Sequence, residues 1–193
     1  MSKSTLGTLL IITTLSLVAA SFFFSQTAVS GGSDDDNEGY FSKIQYRGVM
    51  PVKNSEYQNE CSSCHMAYSP GLLPAKSWQK IMTNLDDHFG DNAELLPESQ
   101  QNIANYLLKN AADKSNYYRS KSIVRSLRNH KVVDRITQTP YFIRKHHEIP
   151  KRYVINNPKV GSFSQCNACH LNAEKSSFNE DEVSIPGVGY WHE

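Results

Sequence analysis

Cysteine is scarce in this 193-residue chain: there are four, and all of them fall in two copies of one pentapeptide. None is left to cross-link the two halves of the chain, and a disulfide within either copy would close a tiny, strained loop. The chain also lacks the βαβ setting of a thioredoxin-like dithiol, any strong alternating strand pattern, and any methionine after Cys166. The formal net charge is only +1, and we expect no nucleic-acid partner.

What the cysteines do form is the pattern Cys-x-x-Cys-His, at residues 61–65 and again at residues 166–170. This pattern indicates a covalently attached c-type haem. Two thiols three residues apart can reach the two vinyl groups of one porphyrin, and the adjacent imidazole then lies under the iron as its fifth ligand. The sequence therefore predicts two haem c groups, tethered by cysteine and ligated by histidine, at Cys61, Cys64, His65, Cys166, Cys169 and His170.

A structural zinc site is the main alternative for paired cysteines. Its pairs usually lie about 15–20 residues apart and need no histidine after each pair. Here 101 residues separate Cys64 from Cys166, and a histidine follows each pair. The spacing therefore favours haem.

The first thirty residues have the pattern of a secretory signal peptide. An apolar stretch over residues 6–24 follows Lys3, and the small residues Ala28 to Ser30 form a cleavage site. An uncleaved anchor is the alternative, because nineteen largely apolar residues just reach across a bilayer. In bacteria haem is attached to thiols outside the cytoplasm, so we expect a periplasmic protein. Residues 31–48 then form an acidic, flexible leader.

Apolar spacing predicts a small haem domain of three helices at residues 49–113. A short helix leads into the first motif, and a second helix is predicted over residues 75–85. Residues 86–90 end that helix with a glycine, and Pro97 opens a third helix. We expect the second and third helices to have few partners other than the porphyrin.

A second haem domain is predicted at residues 114–193. A basic amphipathic helix is expected over residues 113–130. Thr139 and Pro140 then have the N-cap and N1 pattern of a further short helix. Residues 185–190 are predicted to be irregular. We therefore expect an all-α protein.

Charge is unevenly distributed along the chain. Residues 31–113 hold twelve acidic and six basic residues, whereas residues 117–152 hold ten basic residues against two acidic ones. The basic segment 117–152 steers docking to an acidic partner, forms a solvated helix surface, or balances the charge of the haem propionates. The sequence leaves all three open.

The sixth iron ligands decide what the haems can do. Iron with two strong axial ligands passes electrons, whereas an open position binds oxygen, carbon monoxide or peroxide. At the first haem we predict His88, which lies 23 residues after His65 and beside Phe89. The alternatives are a helix-capping role for His88, ligation by Met82, which fits the apolar stripe of a core helix, and ligation by Met66, which lies too close to His65 to cross the ring.

At the second haem the sixth ligand should come from the helix before the motif. His146 follows Phe142 and Ile143 by four and three residues and so shares their apolar face. His147 is rotated by about 100° towards the basic face. We predict His146, with His147 as the rival. Two histidines are predicted to lie on the surface, His130 and His192.

The chain resembles the bacterial periplasmic dihaem cytochromes c, often abbreviated DHC. The resemblance covers nearly everything from Pro51 onward and is carried by residues 60–68, 70–74 with Trp78, 85–90, and 166–170 with Ala173 and Glu174. It implies an N-terminal domain similar to class I cytochrome c and a smaller, less regular C-terminal haem domain. Residues 145–149, Lys-His-His-Glu-Ile, are similar to a family pattern that supports His146 as the ligand.

The resemblance also implies bis-histidine iron at both sites and two kinds of partner, a membrane b-type cytochrome and a soluble haem protein. We therefore predict a periplasmic electron carrier with no substrate of its own. A dihaem peroxidase is the alternative, but it would need one open iron, and such enzymes are typically larger. A haem-based sensor would need a signalling domain, for which the chain has no room.

Overall fold

The computed structural model describes residues 48–130 and 132–191, which belong to one compact unit. Within these ranges the structure is mostly helical, so the prediction of an all-α protein is confirmed. The α-helices are α1 (Ser55–Cys61), α2 (Ala75–Met82), α3 (Pro97–Lys109), α4 (Tyr118–Ser126), α5 (Pro140–His146) and α6 (Lys151–Val154). The predicted signal segment 1–30 and nearly all of the predicted leader lie outside the described residues. No helix in the described part of the chain is long and apolar enough to cross a membrane.

Helix α1 leads into the first motif, as predicted. It begins where the side chain of Asn54 accepts a hydrogen bond from the backbone N–H of Tyr57 (2.7 Å). Tyr57 is buried and donates its hydroxyl to the backbone carbonyl of Tyr68 (2.8 Å). The helix ends at Cys61, the first cysteine of the motif. Its packing therefore fixes the position of that cysteine.

Helices α2 and α3 pack against each other and form the main core. Trp78 and Met82 of α2 belong to one buried cluster with Ile103 and Leu107 of α3. The indole N–H of Trp78 donates to the carbonyl oxygen of Pro70 (2.8 Å). The expectation that these helices have few partners other than the porphyrin is wrong, because their apolar faces bury each other.

Helix α2 ends at Met82, three residues earlier than the apolar spacing predicts. The Thr83 hydroxyl donates to a backbone carbonyl of the last helical turn (3.0 Å), a competing interaction that hydroxyl side chains commonly make. Leu85 is buried from the turn that follows rather than from the helix. His88 therefore lies in a tight turn, where its backbone pairs with Asp91, and not at a helix end.

Helix α4 is shorter than the predicted helix over residues 113–130. Ala112–Lys114 forms a 3₁₀ turn, and α4 starts only at Tyr118. Its buried residue Ile123 packs against Leu72 in a second, smaller cluster. The predicted division of the chain near residue 113 stays a prediction.

Helix α5 begins as predicted. Pro140 occupies its first turn, and the Thr139 hydroxyl accepts a hydrogen bond from the N–H of Phe142 (3.1 Å). Ile143 is 54% exposed, so the apolar face that the sequence predicts for this helix does not include it. Phe142 and His146 remain together on one side.

The C-terminal part is mostly irregular but contains a small hairpin. The prediction of irregular chain at residues 185–190 is wrong in this respect, because β1 (Ser184–Ile185) pairs antiparallel with β2 (Gly189–Tyr190). Strands of two residues are too short to show an alternating pattern. Gly187 supplies the positive φ angle, 81°, at the turn between them.

Candidate haem-binding sites

The first motif begins at the end of a helix. Cys61 is the last residue of α1 and Ser62 caps it, so Cys64 and His65 lie in the chain that follows. Burial, with a smaller contribution from Glu60, raises the pKa of Cys61 to about 11. Its thiol is therefore protonated near neutral pH. Neither cysteine is disulfide-bonded, so both are available for thioether bonds.

His65 faces His88 across the first site. The centres of their imidazole rings are 6.2 Å apart, and the ring planes are inclined by 30°. Nδ1 of His65 binds the carbonyl oxygen of Met66 (2.8 Å). Because a carbonyl only accepts, Nδ1 carries the proton and Nε2 keeps its lone pair. That is the tautomer in which Nε2 can ligate a metal ion.

Phe89 and Arg135 cover the other side of His88. The rings of His88 and Phe89 are 4.8 Å apart, and the guanidinium carbon of Arg135 lies 3.8 Å from the centre of the Phe89 ring. Burial, followed by the nearby His65 and Arg135, lowers the pKa of His88. The neutral imidazole, which is the form that binds metals, is therefore favoured at neutral pH.

The two methionines that compete for the first haem are both buried. Met82 is 5% exposed and belongs to the main core. Met66 is 7% exposed. The prediction that Met82 is a core residue is confirmed.

The second motif lies in irregular chain. Cys166–Ala168 forms a single 3₁₀ turn, and His170 follows it. Burial raises the pKa of Cys166 to about 11. Burial, followed by the nearby His146 and Arg119, lowers the pKa of His170 to about 4. At neutral pH this site thus presents a protonated thiol and a neutral imidazole.

His146, the last residue of α5, faces His170. The ring centres are 6.1 Å apart, and the ring planes are inclined by 69°. Phe142 stacks on His146 at 3.8 Å, and Phe163 meets it edge-on at 6.1 Å. Nδ1 of His146 binds the Phe142 carbonyl oxygen (2.9 Å). Here too the proton lies on Nδ1, and Nε2 keeps its lone pair.

The remaining histidines lie apart from this pair or outside the described residues. The side chain of His147 is 61% exposed, and its Nε2 lies 3.7 Å from the carboxylate of the following residue. His130 is exposed, as predicted, and His192 falls outside the described residues. Of the two adjacent histidines, it is therefore His146 whose ring faces His170.

Both histidine pairs have the spacing of two ligands on one metal ion. A metal–imidazole bond of about 2.0–2.1 Å on each side, plus the distance from nitrogen to ring centre, puts the ring centres about 6 Å apart. In residues 48–130 and 132–191, no group of three or more His, Cys, Asp or Glu side chains could hold a bare metal ion. Two axial ligands without equatorial ones suit an iron whose other four ligands come from a porphyrin.

A large cleft adjoins the second pair. Its volume is about 1830 Å³, above the roughly 300–1,000 Å³ of most small-molecule sites. Two buried N–H groups without a protein partner belong to residues that line it, Nε of Arg119 and Nε1 of Trp191. Such donors suit the propionate carboxylates of a haem. The lining also includes the tethers and ligands predicted for the second haem, Cys166, Cys169, His146 and His170.

Known families and structures agree with this geometry. A family model described as dihaem cytochrome c matches residues 57–178. The chain belongs to the dihaem cytochrome c family. The resemblance seen in the sequence is thereby confirmed, and the protein carries two covalently bound haem c groups and is an electron-transfer haem protein.

Solved dihaem cytochromes c share much of the chain. One from Shewanella baltica OS155 is 49% identical, covers 72% of this chain and 98% of its own, and superimposes with a TM-score of 0.60. Two structures from Rhodobacter sphaeroides are 40% and 36% identical, each covering 67% of this chain and 100% of its own, with TM-scores of 0.60 and 0.54. No curated protein sequence shows a significant match.

Three residues at the sites are not distinguished by sequence reasoning. Arg119 is one of ten basic residues in the basic segment 117–152, and Trp191 lies well beyond the second motif. Tyr68 stacks on His65 with ring centres 4.7 Å apart. Its only signal in the sequence is its place within residues 60–68, which carry the family resemblance.

Proposed function

We propose that this dihaem cytochrome c relays single electrons between redox partners through two six-coordinate haems, one ligated by His65 and His88 and the other by His170 and His146. The observation that carries the proposal is the facing of two imidazole pairs at 6.2 and 6.1 Å. Both distal histidines lie more than twenty residues from their proximal partners. The pairing therefore depends on the fold and not on proximity in the chain.

Haem c supplies a one-electron couple between ferric and ferrous iron. The chain itself holds, orients and screens the two sites. The cysteines tether, and the Nδ1 protons of His65 and His146 are anchored on backbone carbonyls. Such anchoring fixes the orientation of a ligating ring and raises its basicity.

Two facing imidazoles at each site favour a carrier over an enzyme. A dihaem peroxidase needs one open iron position at which peroxide can bind. Here His88 and His146 are each available on the side opposite the motif histidine, in the neutral form or tautomer that ligates metal. We therefore assign the protein no substrate of its own.

Aromatic side chains screen the second pair from water. Phe142 and Phe163 surround His146, and the ring of Phe178 lies 5.4 Å from that of His170 in an edge-on arrangement. An apolar shell of this kind controls solvent access and thereby the reduction potential. It suits an iron that exchanges electrons and binds no water.

Arg119 is the best candidate for binding a propionate of the second haem. One terminal nitrogen of its guanidinium donates to the Tyr141 hydroxyl (2.8 Å), and the other donates to the Phe178 carbonyl oxygen (3.0 Å). These bonds leave the buried Nε as the remaining donor. A carboxylate there would satisfy it and neutralise the arginine charge.

We further propose that the protein works in the periplasm, exported by the N-terminal segment 1–30, because haem c is attached outside the cytoplasm. Its partners would be a membrane b-type cytochrome and a soluble haem protein, as the family resemblance implies. The basic segment 117–152 keeps exposed charges that could steer an acidic partner, among them Lys121, Arg125 and Arg128.

Spectra of the purified holoprotein test this function. A pyridine haemochrome assay should give two haems per chain. Absorption and electron-paramagnetic-resonance spectra should show two low-spin ferric haems, and the reduced protein should not bind carbon monoxide promptly. Carbon monoxide binding to half or all of the haem, or peroxidase turnover, would contradict the carrier function.

A further inference from the structure

Tyr68 lies between the two haem-attachment segments and contacts both. Its ring stacks on the imidazole of His65, with centres 4.7 Å apart and planes inclined by 26°. Its hydroxyl donates to the backbone carbonyl of Ser164 (2.6 Å), a residue 96 positions away. The same carbonyl oxygen accepts the backbone N–H of Cys166 (3.0 Å). One side chain thus joins the motif histidine of the first haem to the first tether of the second.

Tyr68 is itself fixed by the main core. The hydroxyl of Tyr57, which is 3% exposed, donates to the Tyr68 carbonyl oxygen (2.8 Å). Burial, followed by the nearby Cys166, raises the pKa of Tyr68. Its hydroxyl therefore stays protonated and remains a donor to Ser164.

A second feature brings the two attachment segments together. A smaller cleft of about 440 Å³ is lined by Cys64 and His65 of the first motif and also by Gln165 and Asn167 at the second. The two segments are therefore neighbours in the fold, although 101 residues separate the motifs in the chain. Tyr68 contributes a direct hydrogen bond between them.

We propose that Tyr68 is a positioning residue that couples the two haems, an inference that rests on the function proposed above. It holds the second attachment segment against the first motif histidine and provides a continuous path of packed ring and hydrogen bond between them. The exchange that it supports is one electron, with the iron of one site passing from ferrous to ferric and that of the other from ferric to ferrous. No bond breaks, no proton moves, and Tyr68 itself is not oxidised.

The path has a simple physical basis. Electron tunnelling decays more slowly through covalent bonds, hydrogen bonds and packed rings than across a gap. Removing the Tyr68 hydroxyl loses the hydrogen bond to Ser164 but keeps the ring on His65. Removing the ring loses both contacts. Tyr68→Phe and Tyr68→Leu therefore separate the two parts of the proposed path.

Intramolecular electron exchange in the holoprotein tests the proposal. A laser-flash reductant delivers less than one electron per protein, and the rate of redistribution between the two haems is followed by absorption. Electron-paramagnetic-resonance spectra and a potentiometric titration accompany each variant. Tyr106→Phe is the matched control, because the Tyr106 hydroxyl also binds a backbone group, accepting from the Lys53 N–H (3.1 Å).

We expect Tyr68→Phe to slow the exchange about fivefold, the factor that corresponds to about 1 kcal/mol of lost hydrogen bonding. Both haems should stay low-spin with unchanged potentials, and Tyr106→Phe should exchange at the parental rate. Tyr68→Leu should slow the exchange further and alter the resonance signal of the haem bound by His65. If Tyr68→Leu does not fold, Tyr68→Phe alone decides.

Exchange at the parental rate in Tyr68→Phe would overturn the proposal. That result would leave the carrier function intact, since two low-spin haems would still be present. An open iron or a single haem in the parent protein would instead overturn the proposed function, whatever Tyr68 does. The two failures are therefore distinguishable.

Discussion

At the scale of single residues, the neighbours His146 and His147 have opposite surroundings. His146 is stacked on Phe142 and faces His170, whereas His147 is exposed beside Glu148. Replacing His146 with alanine should remove the sixth ligand of the second haem. We expect a high-spin signal and carbon monoxide binding by about half of the haem, the share of one site in two.

His147→Ala is the matched control and should leave both haems low-spin. The reverse pair of results would place the ligand one residue later in the chain. If neither substitution changed the spectrum, the ligand would have to come from elsewhere, with His130 and His192 as the remaining candidates.

The residues that sequence could identify are those whose signal is local. Cys-x-x-Cys-His is a pattern of five adjacent positions, and the preference for His146 follows from helical register alone. Arg119 and Tyr68 carry no such signal, because their roles depend on Phe178 and Ser164, which lie 59 and 96 positions away. Contacts at that separation are a product of the whole fold.

At the scale of elements, the turn after α2 shows what helical spacing does not predict. Apolar residues continue at helical spacing to Leu85, yet the helix stops at Met82. Phe89 adopts a positive φ of 62°, which is unusual for a bulky residue. Its ring lies between His88 and Arg135, so packing on both sides holds a conformation that local preference disfavours.

The start of α5 was predictable from two residues, and it affects the second site because the helix ends at His146. The Thr139 hydroxyl caps the N–H of Phe142, and Thr139 is 1% exposed. Thr139→Ala should lower the free energy of unfolding by about 1 kcal/mol, measured by denaturant titration of the holoprotein. Thr139→Ser keeps the hydroxyl and should recover most of the loss. Equal stability of the alanine variant and the parent would show that the cap contributes nothing.

A pair of charges ties α2 to the segment that carries Arg135. Lys80 donates to the carboxylate of Asp134, and this hydrogen bond holds the pKa of Asp134 below its ordinary value. The folded protein therefore binds a proton at this carboxylate less readily than the unfolded chain does. The stabilisation is present above about pH 4 and is lost as the pH falls below it.

Asp134→Asn should therefore be less stable than the parent at pH 6, and the difference should shrink as the pH is lowered towards 2. The effect should stay below about 1 kcal/mol, because the Lys80 side chain is 57% exposed. Free energies of unfolding across this pH range measure it. Lys80→Met is the control, and Asp134→Asn made in that background should add no further pH dependence. A pH-independent difference would assign the effect to packing.

At the scale of the whole molecule, the two halves differ in how much core they have without haem. The first half contains the main core between α2 and α3. In the second half, buried apolar side chains line the large cleft instead of a closed cluster, namely Val154, Val160, Val183 and Ile185. Sequence composition suggested that the haems supply much of the interior of both halves, and the distribution of buried side chains makes the second half the more dependent one.

This asymmetry predicts unequal effects of losing each haem attachment. A large apolar cofactor stabilises only the folded state, so the half without its own core should open when its haem is not retained. In Cys166→Ala/Cys169→Ala, amide hydrogen exchange over residues 151–190 should become fast, while helix α3 keeps its protection. In the matched variant, Cys61→Ala/Cys64→Ala, α3 should lose only part of its protection, because Ile103 and Leu107 still pack on Trp78 and Met82. Equal loss of protection in both halves of both variants would mean that the chain folds as one cooperative unit around both haems.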